Sequence, residues 1–117
     1  MRISDKRLLK ELQAEFWAEF PFLDMEFYKP YNLEPASLIL EPGLRVCDVR
    51  LGGSDGVLVL NGNLRCAAIE QTMADVFGLQ MHVSYRKGIY GHFNAKGKTL
   101  TELNYRAMHM AEEVLIV

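Results

Sequence analysis

The feature that most constrains this chain is a helical spacing of apolar residues that changes, after a proline, to strict alternation. The helical stripe consists of Leu9, Leu12, Phe16 and Phe20. We expect Ser4 to cap this helix, with the first turn starting at Asp5, and Pro21 to end it because helix interiors tolerate proline poorly. The segment 22–29 then alternates between apolar and polar from Leu23 to Lys29, which predicts a half-buried strand. Its inward side chains are Leu23, Met25 and Phe27.

The same order, a helix followed by an alternating strand, occurs a second time. Asn63 is expected to cap the second helix, and Gly78 to end it in a left-handed conformation. The apolar stripe of this helix is Cys66, Ile69, Met73, Val76 and Phe77. Residues 79–85 alternate again, so the chain contains a weak internal repeat within one domain. Chance is the competing explanation, since any helix followed by a strand shows these periods.

A capping box at Thr99, with Glu102 at its third following position, is the clearest start signal and opens a third helix. The stripe of that helix is Leu100, Leu103, Ala107, Met110, Ala111 and Val114. Residues 30–55 are predicted to be mostly loop, in which 38–40 and 46–49 cover apolar surface. We therefore predict a single α+β domain over residues 1–117, in two layers. It has an antiparallel sheet of about four strands, near 22–29, 57–60, 79–86 and 89–94, with about three helices on one face.

The last two predicted strands form a hairpin that turns at Lys87 and Gly88. A loop from Lys87 to Ile89 keeps Val83 and Phe93 on the buried face, because a slip by a single residue would reverse every side chain. The opposite face then carries His82, Ser84, Arg86, Tyr90, His92 and Asn94.

Composition bounds the class of protein. Of the 117 residues, 50% are hydrophobic and 24% charged, which favours one globular domain over disorder. The charged start at residues 1–7 and the short apolar runs predict neither a signal peptide nor a membrane segment, so we expect a cytoplasmic protein. Cys47 and Cys66 are then expected to be reduced, core-packed thiols.

The spacing of reactive side chains predicts no catalytic or metal site. The three histidines lack metal-ligand spacing, and the pair Ser84 and His92 has no acidic partner nearby in the sequence. The glycines at 52–56 precede a strand, and Gly97 lacks the upstream glycine of a phosphate-binding loop. We predict a non-enzymatic protein without cofactor or metal, and an enzyme using Ser84 or His92 is the least favoured alternative.

Charge is distributed unevenly along the chain. Residues 1–75 carry 8 basic and 12 acidic side chains, a net charge of −4, and residues 76–117 carry 5 and 3, a net charge of +2. The candidate binding face lies in the basic part and consists of Arg86, Lys87, Tyr90, His92 and Lys96. Such a face suits phosphate binding or base stacking, and the competing interpretation is a solvated hairpin whose charges oppose aggregation.

Two functions follow as hypotheses. The first is a small cytoplasmic module that binds a protein partner or forms a homodimer, because the sequence offers an open sheet face and no catalytic groups. The alternative is nucleic-acid binding through the basic hairpin at 82–98, against which the mild acidity of the whole chain weighs. No membrane partner is expected, and the apolar residues 114–117 are expected to dock within the chain rather than on a partner.

Three stretches resemble a family of small uncharacterised bacterial domains. They are Phe77-Gly78-Leu79, Tyr85-Arg86-Lys87-Gly88 and Thr99-Leu100-Thr101-Glu102-Leu103-Asn104. The stretch Phe20–Phe27 is similar to the first strand of those domains. Family members usually carry a tryptophan in the second hairpin strand, where this chain has Tyr90-Gly91-His92. The resemblance implies a similar fold and carries no established activity.

Overall fold

A computed structural model gives the fold and describes residues 1–29, 38–39, 43–86 and 97–116, with side chains as far as Ala111. Four helices and four strands lie in this part of the chain, and the predicted α+β class is confirmed. They are β1 (Arg2–Ile3), α1 (Leu9–Glu19), β2 (Leu23–Tyr28), α2 (Val46–Val49), β3 (Gly56–Val57), α3 (Cys66–Asp75), β4 (Gln80–Tyr85) and α4 (Leu100–Ile116). None of the helices described is long and apolar enough to cross a bilayer.

The described strands form two antiparallel pairs, β1 with β3 and β2 with β4, instead of the single four-stranded sheet that we predicted. In the larger pair the register runs from Leu23 opposite Tyr85 to Tyr28 opposite Gln80. The predicted strand 57–60 is reduced to β3, whose partner is the short strand β1 at the start of the chain. Two residues of β1 are too few to show alternation, so no sequence pattern indicates this pairing. The predicted strand 89–94 lies outside the described residues.

The order of elements is β-α-β-α, and it occurs twice. The first half runs from β1 to α2 and the second from β3 to α4. The first strands of the two halves pair with each other, as do the second strands, and the starts of α1 and α3 make equivalent hydrogen bonds. The amide of Leu9 donates to the carbonyl of Leu44 at 3.0 Å, as the amide of Cys66 donates to that of Lys98 at 2.9 Å. The internal repeat in the sequence therefore corresponds to a repeat in the structure.

These backbone hydrogen bonds also explain why two predicted helix caps are wrong. Helix α1 begins at Leu9, several residues after Ser4, and α3 begins at Cys66 rather than directly after Asn63. In each half the start of one helix pairs with the start of the next through main-chain groups, so these amides need no side-chain cap. The capping box at the start of α4 is confirmed, because the amide of Glu102 donates to Oγ1 of Thr99 at 3.2 Å.

Helices α1 and α3 cover one face of the β2–β4 pair, and the predicted inward residues of both strands are buried in a common core. The core residues of the two strands are Leu23, Met25, Phe27, Met81, Val83 and Tyr85. The predicted stripes of α1 and α3 are buried except at Val76, which lies just beyond the end of α3 and is exposed. In the stripe of α4, Leu100, Leu103 and Ala107 are buried, Met110 and Ala111 are half-buried, and Val114 lies beyond the described side chains. Cys66 is buried as predicted, whereas Cys47 lies exposed on α2, where Val46 and Val49 supply the buried side.

Candidate functional site

Only one residue of the predicted binding face, Arg86, lies in the described part of the chain. Lys87, Tyr90, His92 and Lys96 fall outside it, so that face stays a prediction. Arg86 directly follows β4, and its amide donates to the carbonyl of Phe22 at 2.9 Å. Its side chain lies on an aromatic ring, with the guanidinium carbon 4.5 Å from the centroid of the Trp17 ring.

Trp17 is the only tryptophan of the chain and is placed on the outer side of α1. The indole N–H donates to the carbonyl of Pro21 at 2.8 Å, where the proline ends the helical segment. That hydrogen bond fixes the ring at the corner between α1 and β2. The side chain is nevertheless 42% exposed, so part of the ring stays open to solvent or to a ligand.

A surface cavity of about 320 Å³ opens beside this ring. We call it the Trp17 cavity, and it is lined by Gln13, Ala14, Trp17, Asp24, Met25 and Glu26. The amide side chain of Gln13, which lines the cavity, donates to the carbonyl of Met25 at 2.9 Å. Asp24 and Glu26 alternate with Met25 along β2, so both carboxylates lie on the side of the strand that faces away from the core.

The chemistry of the Trp17 cavity suits a cation. The face of an indole ring is its negative side, and it attracts ammonium and guanidinium groups. The carboxylates of Asp24 and Glu26, which line the same cavity, add further negative charge. The structure thus combines an aromatic face, an acidic wall and a cation, Arg86, already resting on the ring.

A second group of polar side chains lies further along the outer face of the β2–β4 pair. His82 is directly opposite Glu26, its Nδ1 is 3.4 Å from Oε1 of Glu70, and its ring meets the edge of Tyr28 at a centroid distance of 5.0 Å. Burial and, less strongly, the carboxylates of Glu26 and Glu70 raise the pKa of the Tyr28 phenol. The hydroxyl of Ser84 donates to Glu26.

In this second group the hydroxyl and the imidazole contact different carboxylates. Ser84 is held by a carboxylate, while the imidazole of His82 faces Glu70 on the opposite strand edge. The thiol of Cys66 is also directed at Glu70, at 3.6 Å, and burial followed by that carboxylate raises its pKa to about 12, so it stays protonated. In the described ranges, no group of three or more histidine, cysteine or acidic residues is arranged to hold a metal ion.

Sequence reasoning did not single out the residues of the Trp17 cavity. One signal was present, because Trp17 follows Phe16 and therefore falls outside the apolar stripe that its own helix buries. A large aromatic residue on the polar side of a predicted helix is a candidate for a binding surface. The carboxylates gave no such signal, since polar residues are expected at alternate positions of a half-buried strand.

A scan against protein-family models and searches of curated proteins and solved structures found no match to this chain. The resemblance to small bacterial domains therefore stays a prediction.

Proposed function

We propose that this chain is a non-enzymatic protein-interaction module of the cytoplasm, and that the Trp17 cavity binds a cationic side chain of its partner. The observation that carries the proposal is the placement of Arg86 on the Trp17 ring at 4.5 Å. An arginine from the same chain occupies a ring beside which Asp24 and Glu26 add negative charge. A partner arginine or lysine would meet the same ring and the same two carboxylates.

The proposal favours arginine over lysine. A guanidinium is planar, stacks on aromatic faces and forms paired hydrogen bonds with a carboxylate, whereas an ammonium acts as a compact point charge. The carboxylates of Asp24 and Glu26 line the cavity, where Glu26 also accepts from the hydroxyl of Ser84. An exposed cation on a tryptophan contributes about 0.5–1 kcal/mol, and about 2 kcal/mol when it is desolvated, so a partner must add contacts around the cavity.

The alternative, nucleic-acid binding through the hairpin at 82–98, is less well supported by the surroundings of Arg86. The described surface beside it carries Asp24 and Glu26, which repel phosphate groups. Cation binding therefore fits this part of the molecule better than polyanion binding does.

The proposal can be tested with two short peptides that differ at a single position. One contains arginine and the other citrulline, which has nearly the same shape and no charge. We expect the arginine peptide to change Trp17 fluorescence in a saturable way and to shift the NMR signal of the indole N–H, and the citrulline peptide to do neither. Because the chain has one tryptophan, both signals come from the cavity itself.

Three variants sharpen this experiment. Asp24→Asn should weaken binding of the arginine peptide, whereas Glu19→Gln, which removes an exposed carboxylate at the end of α1 and outside the cavity lining, should leave it unchanged. Arg86→Ala should strengthen binding by about two- to fivefold, because it frees the ring of its internal cation. Equal responses to the two peptides would contradict the proposal, and a response to a single-stranded oligonucleotide instead would favour the alternative.

A further inference from the structure

The outer edge of β3 presents backbone groups that bond no other residue in the described part of the chain. Leu58 directs both of its main-chain groups inward, because its amide donates to the carbonyl of Met1 at 2.8 Å and its carbonyl accepts from the amino group of Met1 at 2.7 Å. Successive residues of an extended strand direct these groups to opposite sides, so the amides and carbonyls of Val57 and Val59 point away from β1. We call residues 56–60 the β3 edge.

The other outer edges of the two strand pairs are covered by side chains. Arg7 donates from its guanidinium to the carbonyl of Arg2 on the outer side of β1, at 3.1 Å. Gln13 and Glu70 bond backbone groups on the outer edges of β2 and β4 in the same way. A side chain bonded to an edge competes with an incoming strand, so among these four edges β3 is the one left open to pairing.

The side chains of the β3 edge favour pairing with an apolar strand. Val57 and Val59 are 66% and 70% exposed, whereas Leu58 between them is buried. Residues 56–60 contain no charged residue and no proline, which are the features that commonly keep strand edges from pairing. An uncharged edge with open backbone groups is a template for an additional strand.

We infer that the β3 edge pairs with the β3 edge of a second copy of this chain, antiparallel about a twofold axis at Leu58. Val57 then lies opposite Val59 of the second copy, and Val59 lies opposite Val57 of the second copy. Each of these facing pairs exchanges two backbone hydrogen bonds, and the exposed valine side chains cover one another. A second copy fits this edge because the same five residues supply both the open backbone groups and the apolar side chains that cover them.

The charges beside the β3 edge are compatible with this register. Asp55 comes to lie opposite Asn61 of the second copy rather than opposite another acid, and its carboxylate is already 2.7 Å from the guanidinium of Arg50. The joined sheet has the order β1-β3-β3-β1, so both of its outer edges are β1 edges, which Arg7 covers. Such a twofold contact is closed, and the assembly therefore stops at two copies.

The small size of the β3 edge sets the strength of the dimer. A standard interface contains about 20–30 residues on each side, whereas the β3 edge contains five. We therefore expect weak association, with a dissociation constant of about 0.1–1 mM. This surface is separate from the Trp17 cavity, so the inference goes beyond the proposed function and does not depend on it.

The experiment combines sedimentation equilibrium with amide hydrogen exchange by NMR on the full chain, at concentrations that extend to the millimolar. We expect the amides of Val57 and Val59 to become protected as the dimer forms, and the amide of Leu58 to be protected at every concentration because its partner lies in the same chain. Val59→Lys should weaken dimerisation at least about tenfold, since it places an ammonium group in each valine pair. Val76→Lys, which introduces the same charge at an exposed valine outside the β3 edge, should dimerise like the unaltered chain.

A mixture of two variants tests the register. Val57→Glu in one copy and Val59→Lys in the other should form a mixed dimer that is tighter than either variant forms with itself, because the introduced carboxylate and ammonium face each other. Circular dichroism and thermal unfolding identify a variant that fails to fold, and Val57→Lys replaces Val59→Lys in that case. A chain that stays monomeric up to the millimolar range would overturn the inference, as would a dimer in which the amides of Val57 and Val59 gain no protection.

One further variant separates this inference from the proposed function. Asp24→Asn changes the Trp17 cavity and leaves the β3 edge intact, so it should weaken binding of the arginine peptide without changing dimerisation. Val59→Lys should do the reverse. If Asp24→Asn weakens the dimer as much as Val59→Lys does, the two copies meet at the cavity and not at the β3 edge.

Discussion

At the scale of single residues, Cys66 makes stability depend on pH in the alkaline range. Burial and Glu70 raise its pKa from 9.0 to about 12, so the folded thiol keeps its proton where the unfolded thiol loses it. The unfolded state then binds fewer protons, and stability falls as the pH rises from 9.0 towards about 12. This one thiol contributes a slope of up to about 1.4 kcal/mol per pH unit.

Urea unfolding at a series of alkaline pH values measures that slope. Cys66→Ala should flatten it, although the variant is less stable overall because it leaves a cavity in the core. Cys47→Ala is the matched control, since Cys47 is exposed and its removal should leave the slope as it is. Identical slopes for the unaltered chain and Cys66→Ala would contradict the prediction.

At the scale of elements, Gly78 connects α3 to β4 in a way that only glycine permits. Its φ is +69°, and a Cβ atom there would lie 2.5 Å from the carbonyl oxygen of Gly52 and 2.6 Å from that of Leu51. Gly78→Ala should therefore cost about 2 kcal/mol or more in the free energy of unfolding, from backbone strain together with the clash. Urea denaturation followed by circular dichroism measures the cost.

Gly52 provides the comparison that separates the two causes. Its φ is +67°, nearly that of Gly78, but a Cβ atom at Gly52 meets nothing within 4 Å. Gly52→Ala should cost only the strain of the left-handed backbone, about 1–2 kcal/mol. If both substitutions cost the same, the close approach to the 51–52 backbone does not contribute.

The elements also show how far the sequence predicts this fold. Helical and strand periods located α1, α3, α4, β2 and β4, because each period reports which side chains one element buries. The sequence does not predict how these elements pair with one another. Backbone groups join β1 to β3 and the start of α1 to the start of α2, and backbone groups are the same in every residue. For the same reason Ser4 and Asn63 were wrongly predicted as caps.

The candidate site was predictable only in part. The sequence predicts an outward-facing Arg86 at the end of a strand, and in the structure Arg86 directly follows β4 and is exposed. Its contact with Trp17 depends on how closely α1 approaches the end of β4, and no local pattern contains that distance. An aromatic residue from one element and a cation from another become a site only after the elements pack.

At the scale of the whole molecule, the two β-α-β-α halves carry a hydrogen-bond donor and a hydrogen-bond acceptor at equivalent helix positions. Gln13 and Glu70 are each the fifth residue of their helix, and each bonds the outer edge of the same cross-strand pair. Gln13 donates to the carbonyl of Met25 at 2.9 Å, whereas Glu70 accepts from the amide of Val83 at 2.9 Å. The repeat therefore protects both edges of the β2–β4 pair, with a donor on one side and an acceptor on the other.

That difference predicts unequal costs for two substitutions of the same size. Gln13→Glu replaces a donor by a carboxylate that faces a carbonyl oxygen, which should cost about 1–3 kcal/mol in the free energy of unfolding. Glu70→Gln keeps an oxygen that accepts from Val83 and changes only the contact with Nδ1 of His82, a side chain 61% exposed, so it should cost less than about 1 kcal/mol. Urea unfolding at neutral pH compares the two variants.

The pH dependence of Gln13→Glu tests the cause of its cost. A protonated carboxyl group donates a hydrogen bond, so the folded state holds the introduced proton more tightly than the unfolded state does. The variant should therefore regain stability relative to the unaltered chain as the pH falls, because the folded state binds the additional proton. A cost that is independent of pH, or equal to that of Glu70→Gln, would mean that the helix side chains shield the two strand edges without bonding them. The matched chemistry of the two halves would then have no role in holding the sheet.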